Sequence, residues 1–210
     1  MDIYTFIKNL NPGTLVEIGA HFGEDTRIFR NMLPNARIVA FEPDPRNIKI
    51  IRETRVDRIC EFYPVALSDK NEVRPFYMSS GDASLNPDKQ HRENDWSSSS
   101  SLKRPTGHLE LHKWITFPNT SEVECIRLDD VASLKNTVID FMWVDVQGAE
   151  DIVFSGAKDT LTRTRYVHTE YATDLYEGQL NREQVLAMFG PTWSIVHDFG
   201  GDLLLKNMSI

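Results

Sequence analysis

The sequence predicts an α/β fold: a doubly wound, mostly parallel sheet, a C-terminal antiparallel hairpin and a long insertion. Three observations carry this. Short apolar runs alternate with segments whose apolar residues recur at helical spacing, the order that gives a parallel sheet with helices on both faces. The first run ends in a glycine turn that opens a helix, and the second ends in an acid. Near the C-terminus Gly200-Gly201 separates two strand-like runs, a hairpin signal.

The elements follow in order. Thr14 to Ile18 is a β-rich run stopped by Gly19. Glu24 to Leu33 places Ile28, Phe29, Met32 and Leu33 at helical spacing, and Pro34 ends it. Ala36 to Phe41 is a buried-strand run closed by Glu42-Pro43, after which Asp44 can cap a helix with Pro45 at its first position. A third strand is predicted over Phe62 to Leu67. Val138 to Val144 is too apolar for an edge and belongs at the centre of the sheet. Ala149 to Ser155 reads as a short helix ended by Gly156, Tyr166 to Tyr171 as a strand and Arg182 to Phe189 as a helix. The runs WSIVHDF and DLLLK form the hairpin. Between the halves, about 79–121 is polar and without sustained periodicity. Trp96, Leu109, Leu111, Trp114, Ile115 and Phe117 give it something to bury, which favours an ordered lid over a solvated linker.

Length and composition set the limits. The 210 residues suit one domain spanning 1–210. Lys+Arg 23 against Asp+Glu 31 leaves a net charge of −8, which argues against a nucleic-acid partner. No run approaches the ~18 apolar residues of a membrane span. The start MDIYTFIKNL lacks a signal-peptide pattern, so a cytoplasmic protein is expected. Cys60 and Cys125 alone cannot build a disulfide framework.

Chemistry enters at the first loop. Glycines at a strand-to-helix turn let a ligand approach the main chain, and Glu42 stands where a carboxylate can accept from ribose hydroxyls. A nucleoside-containing cofactor is expected. The spacing Gly19-x-x-x-Gly23 lacks the second glycine that admits a pyrophosphate, and Glu17 would repel one while suiting an amino group. S-adenosylmethionine fits those terms better than a dinucleotide. Asp145 and Glu170 both fall at predicted strand C-termini, where open α/β sheets gather ligands. Two carboxylates there serve as base and orienter for proton removal; a divalent cation held by them is left open, and no metal ligand is assigned. His168 shares a strand face with Glu170 and reads equally well as a base or a satisfied core histidine.

Several blocks in order resemble one known family: LVEIGAHFGEDT, VAFEPDPRN, PVALSD, SSSL, IRLDDV and FMWVDVQGAEDIVFSGA, together covering about Leu15 to Phe199. They are similar to the FkbM-type methyltransferases, within the class I S-adenosylmethionine-dependent fold. The resemblance implies a seven-stranded sheet and methylation of a hydroxyl on a sugar or secondary-metabolite-like acceptor. It also implies that Glu17, Gly19 and Gly23 hold the methionine part, Glu42 the ribose, and that Asp69 lies near the adenine. Asp145 would face the transfer centre and Ser101 would touch the cofactor or order the lid. His21, Thr26, Pro43 and Ala66, from the same blocks, complete the expected cofactor set. This chain departs from the family pattern with Glu17 for Asp, His21 for Asn, and Trp143 and Gln147 where Lys and Glu are usual. Two other readings are a nicotinamide-dependent oxidoreductase on a related sheet and a non-catalytic cofactor-binding module. The acceptor's identity and the oligomeric state are not legible.

Overall fold

A computed structural model describes residues 1–82, 84 and 95–210. Part of the GDASLNPDK segment of the expected lid therefore lies outside the described residues. A helix the sequence reading did not assign comes first: α1 (Ile3–Leu10), N-capped by Asp2, whose carboxylate accepts from the Thr5 backbone N–H. It buries Ile7 and stacks Tyr4 on Trp143. Then follow β1 (Thr14–Ile18), α2 (Glu24–Met32), β2 (Arg37–Phe41) and α3 (Pro45–Glu53), at or within a residue of the predicted bounds. Asp44 caps α3 by accepting from Arg46 N–H, with Pro45 in the first turn.

The predicted third strand is a correction. It divides into β3 (Glu61–Tyr63), which pairs with β2, and β4 (Ala66–Leu67), which leaves for a second sheet. That sheet is completed by β5 (Glu72–Gly81) and β6 (Ile115–Ile126), a long antiparallel pair with order β4-β6-β5. Helix α4 (His108–Leu111) lies between them. Both ends of the expected insertion are thus strands. Their pattern was hidden because β6 buries only Ile115, Val123 and Cys125 of its twelve residues. Trp96 and Ile115 are buried as expected, whereas Leu109 and Leu111 are exposed.

The chain then forms β7 (Ile139–Val144), α5 (Glu150–Ser155), α6 (Lys158–Leu161), β8 (Thr164–Glu170), α7 (Arg182–Phe189), β9 (Trp193–Asp198) and β10 (Asp202–Asn207). The main sheet has seven strands in the order β3-β2-β1-β7-β8-β10-β9, with β10 antiparallel to both its neighbours and the other pairs parallel. Strand β7 is central and buries Ile139, Phe141, Met142 and Val144 completely.

Alternation along the strands feeds two cores. Val16, Ile18, Val39 and Met142 pack on one face with Val153 and Phe154 of α5. Leu15, Ile38 and Phe141 pack on the other with Ile7 of α1 and Phe29 of α2. The order of strands reverses between β1 and β7, so their C-terminal ends open a crevice there. Gly19 makes the close approach: its φ is +89°, and a Cβ on it would lie 1.8 Å from the Asp145 carbonyl oxygen.

Candidate active site

The crevice is a cavity of about 210 Å³ at the C-terminal ends of β1, β2 and β7. Its wall on the β2 side is a ring of hydrogen bonds. Glu42 is buried, and its Oε2 accepts from His21 N–H at 2.8 Å. Glu42 Oε1 accepts from Asp44 N–H at 2.8 Å and from Asn47 Nδ2 at 3.2 Å. Asn47 Oδ1 in turn accepts from Ser97 Oγ, which lies 2.9 Å from His21 Nε2. A carboxylate offers about four lone-pair sites. Three are taken, so Oε2 keeps one for a ligand hydroxyl at the end of β2. Burial pushes Glu42 up to about 7, against the backbone bonds that favour its ionised form.

The opposite wall is the loop after β7. Gln147 and Gly148 both have positive φ, and the Glu150 carboxylate accepts from Val146 and Gly148 N–H, fixing the turn. This holds the Gln147 side chain between two acids. Its Nε2 donates to Asp145 Oδ1 at 2.7 Å and to Glu170 Oε2 at 3.2 Å. Asp145 and Glu170 thus flank the same Gln147 amide. Withdrawal from water raises both, and the Asp145 charge raises Glu170 further.

Among the expected cofactor residues, Gly19, His21, Glu42, Pro43, Ala66 and Asp145 line this cavity. The others do not, and each has a reason. Glu17 shares the strand face of Leu15, so it points beneath the loop, where Thr26 Oγ1 donates to it at 2.6 Å. Both are buried, and Glu17 is raised well above the carboxylate range by burial. Gly23 serves packing, since a Cβ there would meet Val56 at 2.6 Å. Asp69 is carried away by the departure of β4: Ser68 packs its carbonyl on Gly156, and Asp69 pairs with Arg74 at 3.2 Å. Ser101 is buried against β5, exchanging backbone bonds with Tyr77 while its Oγ accepts from Lys103 N–H. It orders the wall and does not border the cavity. Glu170 reaches the site only through Asp145 and Gln147. His168 is buried and stacks on Trp143 at 4.3 Å, and it does not line the cavity.

The sequence reading missed Glu24 and Asp25 in the first turn of α2, Asn47, and Ser97, Ser98 and Ser100. The signal for the first two was present: acids in the first turn of a helix after a glycine loop. The apolar part of the wall comes from Val65, Leu67, Phe76 and Leu102.

Glu24, Asp25, Glu42 and Asp145 converge on a cavity whose described lining holds no Lys or Arg. Such a surface suits a cationic, phosphate-free nucleoside and repels a pyrophosphate. Sequence comparison gives the same direction. The family model described as the methyltransferase FkbM domain matches residues 17–201. The chain belongs to the FkbM methyltransferase family. The 2-O-methyltransferase NoeI of Sinorhizobium fredii (strain NBRC 101917 / NGR234) is 38% identical over 99% of this chain and 84% of that protein. Solved structures share the fold at low identity. The FkbM methyltransferase of Methylobacillus flagellatus KT superposes with a TM-score of 0.53 at 12% identity over 93% of this chain, which spans 44% of that chain. Cofactor-bound Rv0187 from MTB gives a TM-score of 0.53 at 11% identity, covering 99% of this chain and 78% of that one. As an FkbM-family methyltransferase, the chain uses S-adenosylmethionine. Among the described residues no helix is long and apolar enough to cross a membrane.

The buried acids make a pH prediction. Glu42 and Glu150 are raised to about 7 and Asp202 to about 6, all first by burial. A raised folded-state pKa contributes stability that is full below the unfolded value and is lost as pH climbs through the folded one. His108 and His168, held down at about 4 by burial, act in the opposite sense over the same window but are outnumbered by the acids. The ligand-free protein is therefore expected to melt lower, by roughly 5 °C, at about pH 7.5 than at about pH 5. Scanning fluorimetry across that window checks it, and a melting temperature that rises with pH contradicts it.

Proposed function

We propose that this protein is an O-methyltransferase that transfers the methyl group of S-adenosylmethionine to a hydroxyl of a small polyhydroxylated acceptor. The acid-lined cavity at the β1/β7 crossover, with no Lys or Arg among its described lining residues, is the observation that carries the cofactor part. The similarity to a 2-O-methyltransferase supports oxygen as the atom methylated. When bound, S-adenosylmethionine supplies an electrophilic methyl on a positively charged sulfur.

The chain's own residues do the rest. Glu42 holds the ribose through the lone pair left on Oε2. Asp25 and Glu24 face the positive groups of the methionine end, and the Val65–Leu67 side encloses the adenine. Asp145 acts as general base toward the acceptor hydroxyl. Gln147 donates to both carboxyl groups and positions them, and Glu170, raised by burial and by the Asp145 charge, leaves Asp145 as the ionised member of the pair. Among the described residues no group of three or more His, Cys, Asp or Glu is arranged to hold a metal ion.

Isothermal titration decides the cofactor. Saturable one-site binding of S-adenosylmethionine and of S-adenosylhomocysteine is expected, with no heat from NAD. Saturable NAD binding without a response to S-adenosylhomocysteine would reverse the assignment.

A further inference from the structure

Of the acids that border the cavity, Glu42 already accepts three hydrogen bonds and Asp145 is bound to the Gln147 amide. Glu24 folds back on its own loop. Its carboxylate accepts from Phe22 N–H at 3.1 Å and lies 3.4 Å from His21 Nδ1, with the side chain 53% exposed. Asp25 is held differently. It is half-buried, and among the described residues its carboxylate takes one hydrogen bond, from the Tyr4 hydroxyl to Oδ1 at 2.6 Å. A carboxylate has about four lone-pair sites, so Oδ2 is left whole for a donor on a ligand.

Tyr4 does not border the cavity, nor does any other residue of α1. Its place is fixed by packing. Ile7 buries α1 in the core that also holds Phe29 and Trp143. The Tyr4 ring stacks on Trp143 at 5.9 Å and 23° and meets Phe29 at 6.4 Å, and Trp143 stacks in turn on His168. Trp143 is a position where this chain departs from the family pattern, and the indole there is the platform that aims the Tyr4 hydroxyl at α2. Burial first, and then the bond to Asp25, hold Tyr4 above the ordinary phenol range, so it stays a donor. The same bond lowers Asp25 against the burial that raises it.

A carboxylate fixed in this way selects among positive groups. A sulfonium has no hydrogen to donate and gains only from charge. An ammonium has three N–H donors and gains a directed, charge-assisted bond as well. A carboxylate already oriented before binding loses little freedom in making that bond.

We infer that Asp25 binds the α-ammonium group of S-adenosylmethionine and that Tyr4, from outside the cavity, is the positioning residue that holds Asp25 aimed at it. This rests on the cavity being the donor site.

Calorimetry on the full chain with two ligands tests it. One is S-adenosylhomocysteine; the other is 5′-S-(3-carboxypropyl)-5′-thioadenosine, the same molecule without its amino group. The wild type is expected to bind S-adenosylhomocysteine at least about 10-fold more tightly than the analogue. Tyr4→Phe keeps the ring and its stacking. It is expected to weaken S-adenosylhomocysteine by roughly 3- to 10-fold and to leave the analogue within about 2-fold. Asp25→Asn is expected to cost S-adenosylhomocysteine about 10-fold or more while sparing the analogue. Adding Tyr4→Phe to Asp25→Asn should cost less than about 2-fold more, because the group Tyr4 positions is gone.

The pH profile separates positioning from packing. Without the phenol bond Asp25 is raised further, so the loss in Tyr4→Phe should grow as pH falls from about 7.5 to about 5.5. The other groups around the pair are Asp2 on α1, Glu17 on β1, His21 and Glu24 of the loop, Glu42 after β2 and Asp145 after β7. They are present in both proteins, so the ratio of variant to wild type isolates Asp25. A packing defect gives a flat ratio.

S-adenosylhomocysteine affinity in Tyr4→Phe within about 1.5-fold of wild type, or equal losses for both ligands, overturns the inference. Should Tyr4→Phe misfold, Asp25→Asn against the two ligands still decides the ammonium assignment, and equal losses would overturn it. A wild type that binds neither ligand sinks the donor reading instead.

Discussion

Replacing Asp145 by asparagine is expected to lower turnover by roughly two to four orders of magnitude, with little change in S-adenosylhomocysteine affinity. An asparagine keeps the volume and accepts the Gln147 amide hydrogen through its oxygen, but it cannot take the acceptor's proton. Glu170 is expected to behave differently. Because burial and the Asp145 charge push Glu170 toward its neutral form, Glu170→Gln keeps a neutral side chain of the same shape with a donor and is expected to cost about 10-fold or less. Glu170→Ala removes the donor altogether and is expected to cost more than the glutamine variant. Steady-state rates on an identified acceptor, set beside calorimetric affinities, give this ranking directly. Asp145→Asn within about 3-fold of wild type would remove Asp145 as the base.

The second large effect is on binding. Glu42→Ala is expected to weaken S-adenosylhomocysteine by roughly 10- to 100-fold, the range of one lost hydrogen bond to a charged group. Alanine also strands the His21 and Asp44 backbone N–H groups that Glu42 accepts from. Part of its effect is therefore on the loop itself. Glu42→Gln separates the two. It keeps the shape, yet its single oxygen can satisfy either His21 N–H or Asp44 N–H, leaving the amide nitrogen opposed to the other donor. Both variants should lose affinity, the alanine one with the larger drop in melting temperature. Calorimetry showing unchanged affinity for either would end the ribose assignment.

Which features the sequence could reveal follows from how far each depends on distant residues. The alternation of runs, the Asp44 cap with Pro45, the central position of β7 and the Gly200-Gly201 hairpin are local patterns with local causes, and they appear in the structure as read. Glu42 and Asp145 were legible because strand C-termini at a crossover face the crevice whatever the loops do. The failures share one origin. Glu17 looked like a ligand-binding acid, but the two-residue period of β1 turns it under the loop onto Thr26. Asp69 stood in the right block, yet β4 joins a second sheet and carries it to Arg74. The long strands β5 and β6 bury few apolar residues, Phe76 in the first and Ile115, Val123 and Cys125 in the second, and so lacked an apolar signature.

By itself the sequence determined the order of elements, the sheet's polarity, and the two acids that end β2 and β7, since each is written in spacing along the chain. Only the tertiary structure decided how Gln147 comes to join Asp145 and Glu170, which serines border the cavity, and that His108 is buried with an Nδ1 unpaired among the described residues. Those facts depend on residues tens of positions apart being packed within a few ångströms, and no pattern confined to neighbouring residues encodes that proximity.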